Sequence, residues 1–331
     1  MIPTSTQTPL GHRYAFLVNP VSGSGKGRSV FDSLPKILEE LGVETPNWSR
    51  DVTCRGDVVE QARQFLNTSD RLIVAGGDGT VGQAMEGLRR SDNPHAALGV
   101  IPLGTGNDLA RELNLLKLYE EKGLKPLLES LLQDRVVPLD LWRVGESAVM
   151  ANYLSIGADG WVTETFANRR DLSESRHSVM ANKIQFARAG MRCLSRRLPP
   201  DFKVRMTLAD GTIVERSLSG CRSFLALNIG SYAGGMLRSH RTRSDDGLLT
   251  AMVVPRLWHY GALASSGSLR FVHHLIQRSL PRWQVRSFEA TWTGATAMQI
   301  DGEARSDLLV AGRLSVNHSG RVRLLSGAMQ P

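Results

Sequence analysis

Cysteine is scarce: the 331 residues contain three, Cys54, Cys193 and Cys221, scattered and odd in number. Such usage excludes a disulfide framework and a cysteine metal site and points to a reducing compartment, with the cytoplasm as the default. Long apolar runs are missing as well. None approaches the roughly 20 residues that a bilayer-spanning helix requires, and the segment before Arg13 has no apolar core behind a basic start, so neither a signal peptide nor an anchor is expected there. Aromatic residues make up only 6% of the chain and no nucleic-acid-binding motif accompanies them, so no nucleic-acid partner is expected. The eight histidines form no ligand cluster, and His273 and His274 fall in an expected helix as surface or packing residues.

Basic charge is in surplus, at +8, which calls for an anionic partner such as a nucleotide or an acidic membrane surface. The length suits two domains, each able to bury its own core. Glycine is concentrated in three turns. Strand Leu72–Ala75 runs into Gly76, Gly77, Asp78 and Gly79 before a helix expected to open near Val81. Strand Tyr14–Val18 ends at Asn19-Pro20 and enters Val21–Gly27. Strand Leu98–Ile101 leads through Pro102, Gly104 and Gly106 to a helix capped by Asn107 or Asp108. A glycine-rich strand-to-helix turn reads equally as a tight connection or as a phosphate cradle, because glycines let an anion approach backbone N–H groups at a helix start. The first turn is not a P-loop: Pro20 and Gly27 occupy the places where that motif needs a glycine and a Ser or Thr.

Strands alternate with helices through this half, with a helix over Arg28–Leu41 interrupted at Pro35, a weak strand in Val43–Thr53 and a helix over Asp57–Asn67. That pattern implies a parallel sheet with helices on both faces, whose strand-end loops line one crevice. The second half reads as mostly β. Its expected strands are Val136–Arg143, Val149–Ile156, Phe202–Leu208, Thr212–Leu218, Ser223–Ile229, Leu248–Val254, Phe288–Thr293, Ala297–Ile300 and Leu308–Val316, with a hairpin turn at Asp210-Gly211 and a helix over Leu257–Leu280. This density of short strands suggests a β-sandwich.

Asn19-Pro20 with Ser22-Gly23, Gly76-Gly77-Asp78-Gly79-Thr80, and Gly104-Thr105-Gly106-Asn107-Asp108 together resemble the diacylglycerol kinase catalytic-domain family, which includes sphingosine and ceramide kinases and soluble bacterial lipid kinases. The central motif is shared with NAD kinases; all three at this spacing mark the lipid-kinase branch. The resemblance implies a three-layer α/β nucleotide-binding domain over residues 1–140, a β-sandwich lipid-substrate domain over 141–331 and an active cleft between them. It implies ATP-dependent, Mg2+-dependent transfer of a γ-phosphoryl group to a hydroxyl of a membrane lipid, diacylglycerol or a related glycerolipid or sphingoid lipid. A soluble NAD kinase-like phosphotransferase and a non-catalytic nucleotide-binding regulator are the alternatives.

Carried over residue by residue, the family's base is Glu303 of Asp301-Gly302-Glu303, which on its own reads as an ordinary hairpin turn. ATP is expected at Asn19, Thr53, Gly76, Gly77, Asp78, Gly79, Thr80, Val81, Gly82, Gly104, Thr105 and Asn107. Asp78, Asp108 and Asp140 match carboxylates that hold magnesium through water, and Asp78 is also expected in catalysis. Read without the resemblance, Asp108 is a helix cap and Asp140 a strand-end residue. The segment Ser244–Leu249 resembles one that holds a structural magnesium, through the Asp246 side chain and the backbone carbonyls of Arg243 and Leu248. Here the pattern is broken by His240, Thr242 and Thr250 and crowded by Arg238, Arg241 and Arg243.

Between Arg169 and Arg205 stand ten basic and three acidic residues. Met180, Ile184, Ala187, Met191, Leu194 and Leu198 share a helical face, with Lys183, Arg188, Arg192, Arg196 and Arg197 outside it. Such a helix either lies on anionic lipid at the inner membrane surface or packs on the sandwich with a solvated basic face.

Overall fold

The computed structural model describes residues 11–45, 47–54, 56–172, 193, 195–239, 241–264, 279–309 and 312–327. The chain forms two compact units, one running to Leu139 and resuming at Val322, the other from Asp140 to Arg321. A division into residues 1–140 and 141–331 does not anticipate that return of the C-terminal end.

In the first unit, β1 (Tyr14–Val18), β2 (Trp48–Val52), β3 (Arg71–Gly76) and β4 (Ala97–Pro102) form a parallel sheet in the order β2-β1-β3-β4. Every residue of β1, β3 and β4 is buried, as in a sheet covered on both faces. The cover comes from helices between the strands: α1 (Lys26–Glu40), α2 (Val58–Thr68) and α3 (Asp78–Arg89). Strand β2, at the edge, alternates between partly buried and exposed positions, which is why its sequence signal is weak. Helix α1 runs through Pro35 without interruption. Helices α4 (Asp108–Glu112), α5 (Leu115–Lys122) and α6 (Leu124–Leu132) follow β4, and the end of the last strand, β17 (Arg313–Leu325), joins β4 in parallel, Leu324 opposite Leu98.

Arg71, at the start of β3, is almost wholly buried. It pairs with Asp134 through both Nε and Nη2, the latter at 2.7 Å, while Nη1 donates to the carbonyls of Asp70 and His95. Its charge and nearly all its donors are thereby satisfied, the condition for burying an ion pair without a large penalty.

The second unit contains β5 (Val136–Val144, from Asp140 on), β6 (Ala148–Met150), β7 (Tyr153–Gly157), α7 (Ala158–Leu172), β8 (Lys203–Leu208), β9 (Ile213–Ser217), β10 (Ser223–Leu227), β11 (Ser231–Tyr232), β12 (Leu237–Arg238), β13 (Leu249–Val254), α8 (Leu257–Ala264), β14 (Arg282–Thr291), β15 (Met298–Ile300) and β16 (Glu303–Ala304). One set of strands runs β16-β15-β7-β10-β13-β14, and a second joins β9, β8, β14, β17, β5 and β6. Strand β14 belongs to both. Its first half pairs with β13, its second half with β8 and β17, and the register shifts between Val285 and Ser287. A bulge at that point bends the strand and lets it turn the corner between layers. Apolar residues of both sets meet in one cluster that includes Trp142, Phe202, Phe224, Val285, Phe288, Met298 and Val316.

The Asp301-Gly302 turn forms as expected. Asp301 and Gly302 adopt φ 52° and 88°, and Ile300 pairs with Glu303, the mirror-image turn that suits a tight hairpin. The strand expected over Leu308–Val316 starts later and ends later: Leu308 and Leu309 close a 3-10 turn over Ser306–Leu309, and β17 runs from Arg313 to Leu325, with Gly320 at φ 110°. Of the helix expected over Leu257–Leu280, 257–264 is described as α8. The expected basic helix lies outside the described residues from Met180 to Arg192 and at Leu194, as do His240, His273 and His274. At its described end Cys193 and Leu198 are buried, while Arg196 and Arg197 are exposed.

Candidate active site

In the first unit the carboxyl ends of four parallel strands lie along one edge, so Thr53, Asn19, Gly77 and Leu103 follow one another across it. The ladder continues into these loops: Asn19 N–H donates to Ala75 at 2.9 Å, Thr53 N–H to Val18 at 2.9 Å, and Leu103 N–H to Gly76 at 2.9 Å. Side chains then bind loop to loop. Asn19 Nδ2 donates to Thr80 Oγ1 at 3.1 Å and its Oδ1 accepts from Val21 N–H at 3.2 Å. Asn107, buried and left-handed at φ 51°, closes the third loop on itself, with Gly104 N–H donating to its Oδ1 at 2.9 Å and its Nδ2 donating to the Gly104 carbonyl at 2.8 Å. Asp78 Oδ2 accepts the Asn107 N–H at 2.8 Å.

Glycine is demanded where these loops touch. A Cβ on Gly104 would sit 2.6 Å from the Gly77 Cα and 2.8 Å from Asn107 Oδ1, closer than real side chains approach. Gly27, the residue that breaks the P-loop pattern, has a similar cause: its Cβ would fall on the Asn19 carbonyl oxygen, 1.9 Å away. The first loop therefore folds back onto the end of its own strand.

The helix after the central turn starts at Asp78, three residues before the expected Val81. Gly79 and Thr80 thus occupy its first turn. Val81 is buried within α3 and packs, whereas Gly82 faces open space. Thr105 is exposed at the tip of its loop, and Thr53 is partly exposed. Asn107, expected at the nucleotide, bonds Gly104 through both its side-chain oxygen and its side-chain nitrogen. Asp78 and Asp108 are brought together around Gly106: a Cβ there would lie 2.7 Å from Asp78 Oδ2 and 3.8 Å from Asp108 Oδ2. Asp108 is fully buried.

Asp140 keeps different company, inside the second unit. It is fully buried; its Oδ1 accepts from Arg321 Nε at 2.5 Å and His318 Nε2 at 3.0 Å, and its Oδ2 from Gly247 N–H at 2.6 Å. Burial opposes ionisation, but the Arg321, His318 and Gly247 bonds outweigh it and hold the carboxyl below its ordinary range. Asp140 is therefore joined to the Ser244–Leu248 segment. Within that segment Leu248 N–H donates to Asp246 Oδ1 at 3.0 Å, and Arg321 Nη2 donates to the Asp245 carbonyl at 2.8 Å. Burial raises the Asp246 carboxyl, against the Leu248 N–H and with the help of the Asp140 and Asp245 charges. Among the described residues no three His, Cys, Asp or Glu side chains are grouped to hold a metal ion.

Glu303 is exposed at the start of β16. The turn before it is pinned from inside: Asp301 accepts the N–H groups of Ala151, Asn152 and Tyr153 at 2.8, 2.7 and 2.9 Å, and its own N–H donates to the Tyr153 carbonyl. Burial pushes the Asp301 carboxyl up to about 6 against the pull of those donors, with the Glu303 charge adding to the rise. Gly302 N–H donates to Gln299 Oε1 at 2.7 Å, and Gln299 Nε2 donates to Ser155 Oγ at 3.2 Å. Ser155 and Gln299 both bond Tyr232, which bonds Asp159. The Tyr260 hydroxyl lies 2.9 Å from Asp159 Oδ2 and 2.7 Å from Ser223 Oγ. Burial lifts the Asp159 carboxyl to about 6 despite those bonds. The sequence gives no sign of this network, because its members come from four strands, two helices and the turns between them.

These features define a two-unit α/β-plus-β protein with a glycine-lined strand edge in one unit and a pinned acidic turn in the other. Residues 13–144 match the diacylglycerol kinase catalytic domain and residues 149–304 the diacylglycerol kinase accessory domain. The chain belongs to the diacylglycerol kinase family. It is 28% identical over 289 residues to diacylglycerol kinase 1 of Arabidopsis thaliana, covering 78% of this chain and 38% of that protein, and 27% identical over 346 residues to diacylglycerol kinase theta of Homo sapiens, covering 95% and 35%. It thus spans well under half the length of these relatives. Among solved structures, a diacylglycerol kinase from Bacillus anthracis str. Sterne aligns over 96% of this chain and 97% of its own with a TM-score of 0.63 at 19% identity. At that identity the likeness establishes the fold.

Proposed function

We propose that this chain is an ATP-dependent lipid kinase, transferring the γ-phosphoryl group of ATP to a hydroxyl of a membrane lipid, diacylglycerol or a related glycerolipid or sphingoid lipid. The observation that carries the reading is the edge of the first unit, where Gly77 and Gly104 meet at backbone level beside the start of α3 and Gly82 faces open space, the kind of glycine-lined helix start that suits an anion. In this reading the ATP phosphates lie over Gly76–Gly82, flanked by Asn19, Thr53, Gly104 and Thr105, with Asn107 shaping the loop.

Magnesium fits the carboxylates around Gly106: hard oxygens, close together, in a space that a Cβ would fill. Asp78 and Asp108 would hold it through water, and bound there it neutralises charge on the phosphates. Asp140, committed to Arg321 and His318, we assign to fixing the Ser244–Leu248 segment. Asp246, with the Arg243 and Leu248 carbonyls, is the proposed place of a second, structural cation; its Oδ1 takes the Leu248 N–H, and no bond to its Oδ2 is seen among the described residues. Glu303 takes the proton of the lipid hydroxyl as that oxygen attacks the γ-phosphorus, the bond from that phosphorus to the β–γ bridging oxygen breaks and ADP leaves, and Asp301 keeps the glutamate's turn in place. The enzyme would work at the cytoplasmic face of the membrane. No helix among the described residues is long and apolar enough to cross it.

The test is incubation with γ-labelled ATP, Mg2+ and mixed micelles carrying diacylglycerol, monoacylglycerol, phosphatidylglycerol, ceramide or a sphingoid base. Label is expected in one of these lipids and absent with Glu303→Ala. Phosphorylation of NAD in their place, or ATP binding with no acceptor labelled, would replace the lipid-kinase reading by the phosphotransferase or regulator alternative.

A further inference from the structure

The described surface carries two neighbouring large apolar side chains in the open, Leu257 at 42% and Trp258 at 53% exposure, on the first turn of α8. They form one wall of an open cleft whose other sides are Arg197, Ser219, Gly220, Cys221, Arg222 and Arg256. This is three arginines and no carboxylate. No ion pair engages Arg197, Arg222 or Arg256 among the described residues.

The cleft is built, not incidental. Arg222 Nη1 donates to the carbonyls of Ser195 and Arg196, its N–H to Val254 at 2.8 Å, and Leu198 N–H to Cys221 at 2.8 Å, so three chain segments are tied into its floor. The Arg197 guanidinium lies 3.6 Å from where a Cβ of Gly220 would be. Alongside, Arg196 stacks over the Trp161 ring at 3.8 Å, which keeps another cation on the same side. Leu257 and Trp258 together carry the combination favoured at a water–lipid boundary, an aromatic and an aliphatic group beside arginines whose stems can lie along apolar surface while their heads meet phosphate.

We infer that this cleft is a docking site for the anionic membrane surface, in which Leu257 and Trp258 enter the headgroup boundary and Arg197 and Arg256 engage lipid phosphates. The charge carries the choice of occupant: an unopposed cluster of arginines repels a basic partner and matches an acidic bilayer. The cleft shares no residue with the nucleotide edge or the Glu303 turn, so the inference stands whether or not the lipid-kinase reading does.

The test is co-sedimentation of the full chain, without ATP, with vesicles of phosphatidylglycerol and phosphatidylcholine or of phosphatidylcholine alone. Expected results are binding to the acidic vesicles only, reversal by high salt, and affinity about tenfold or more lower in both Arg197→Glu/Arg256→Glu and Trp258→Ser. Label transfer to lipid in detergent micelles should keep the wild-type rate in these variants, which separates docking from chemistry. Wild-type vesicle binding in both variants would overturn the inference. Release from vesicles by millimolar inorganic phosphate at constant ionic strength would also overturn it, showing a free-anion site instead.

Discussion

In the first unit, Gly77 and Gly104 meet backbone to backbone and the partners that order the loops are a few residues apart or one loop over. In the second, Asp301 reaches back to Ala151, Asn152 and Tyr153, about 150 positions earlier in the chain, and Asp140 is held by His318 and Arg321 from the far end. One unit shapes its edge with what the residues leave out, the other positions its acidic groups with buried side chains. A site of the first kind tolerates almost no added volume; one of the second kind is sensitive to charge and pH.

Arg71 breaks this comparison most sharply, because it is a buried ion-pair lock in the unit whose strand-end loops are shaped by glycine contacts and short-range side-chain bonds. Arg71→Ala leaves Asp134 without its guanidinium and is expected to cost about 3–5 kcal/mol in denaturant melts. Gly104→Ala pushes a methyl into the Gly77 Cα and is expected to cost about 1–3 kcal/mol while weakening nucleotide binding, both measurable by titration and melting.

The pH response sharpens the other side. Asp159 is raised from 3.8 to about 6, so the folded chain keeps a proton that the unfolded chain has released. Its contribution is full below about pH 4 and is lost as pH rises to about 6. Asp159→Asn, which cannot titrate, is expected to remove about 1–3 kcal/mol of the stability change across pH 4–7, read from melts over that range. The slope that remains belongs in part to Asp301, raised in the same direction. Gly82→Ala is the smallest change: its Cβ meets nothing, and a helical alanine should add about 0.5–1 kcal/mol of stability.

The two units also differ in how far the sequence reveals them. The strands and turns of the first are legible because a buried strand followed by glycines is a local pattern, and even the broken P-loop position, Gly27, is recorded there, though its cause, the Asn19 carbonyl, is seen only in space. The start of α3 is misplaced by three residues because Gly79 reads as a loop residue and is helical. In the second unit, Asp301-Gly302 is legible as a turn, but its anchorage is not, since nothing local links residue 301 to residues 151–153. Strand β14 shows only its second half, because Arg282-Trp283-Gln284-Val285-Arg286 is too polar to stand out. Strand β17, expected to end at Val316, runs on to Leu325, and that continuation places His318 and Arg321 on Asp140. Asp140 is legible as an acidic residue on a strand, and only the fold shows that it faces an arginine.

The division of labour is tested most directly by measuring ATP affinity and label transfer to lipid in the same preparations of wild type, Asp78→Asn and Glu303→Gln. Glu303→Gln is expected to bind ATP as wild type does while transfer falls by about 10²–10⁴-fold, and Asp78→Asn to lose magnesium-dependent ATP affinity. Transfer by Glu303→Gln within twofold of wild type would contradict the assignment of the base to the second unit.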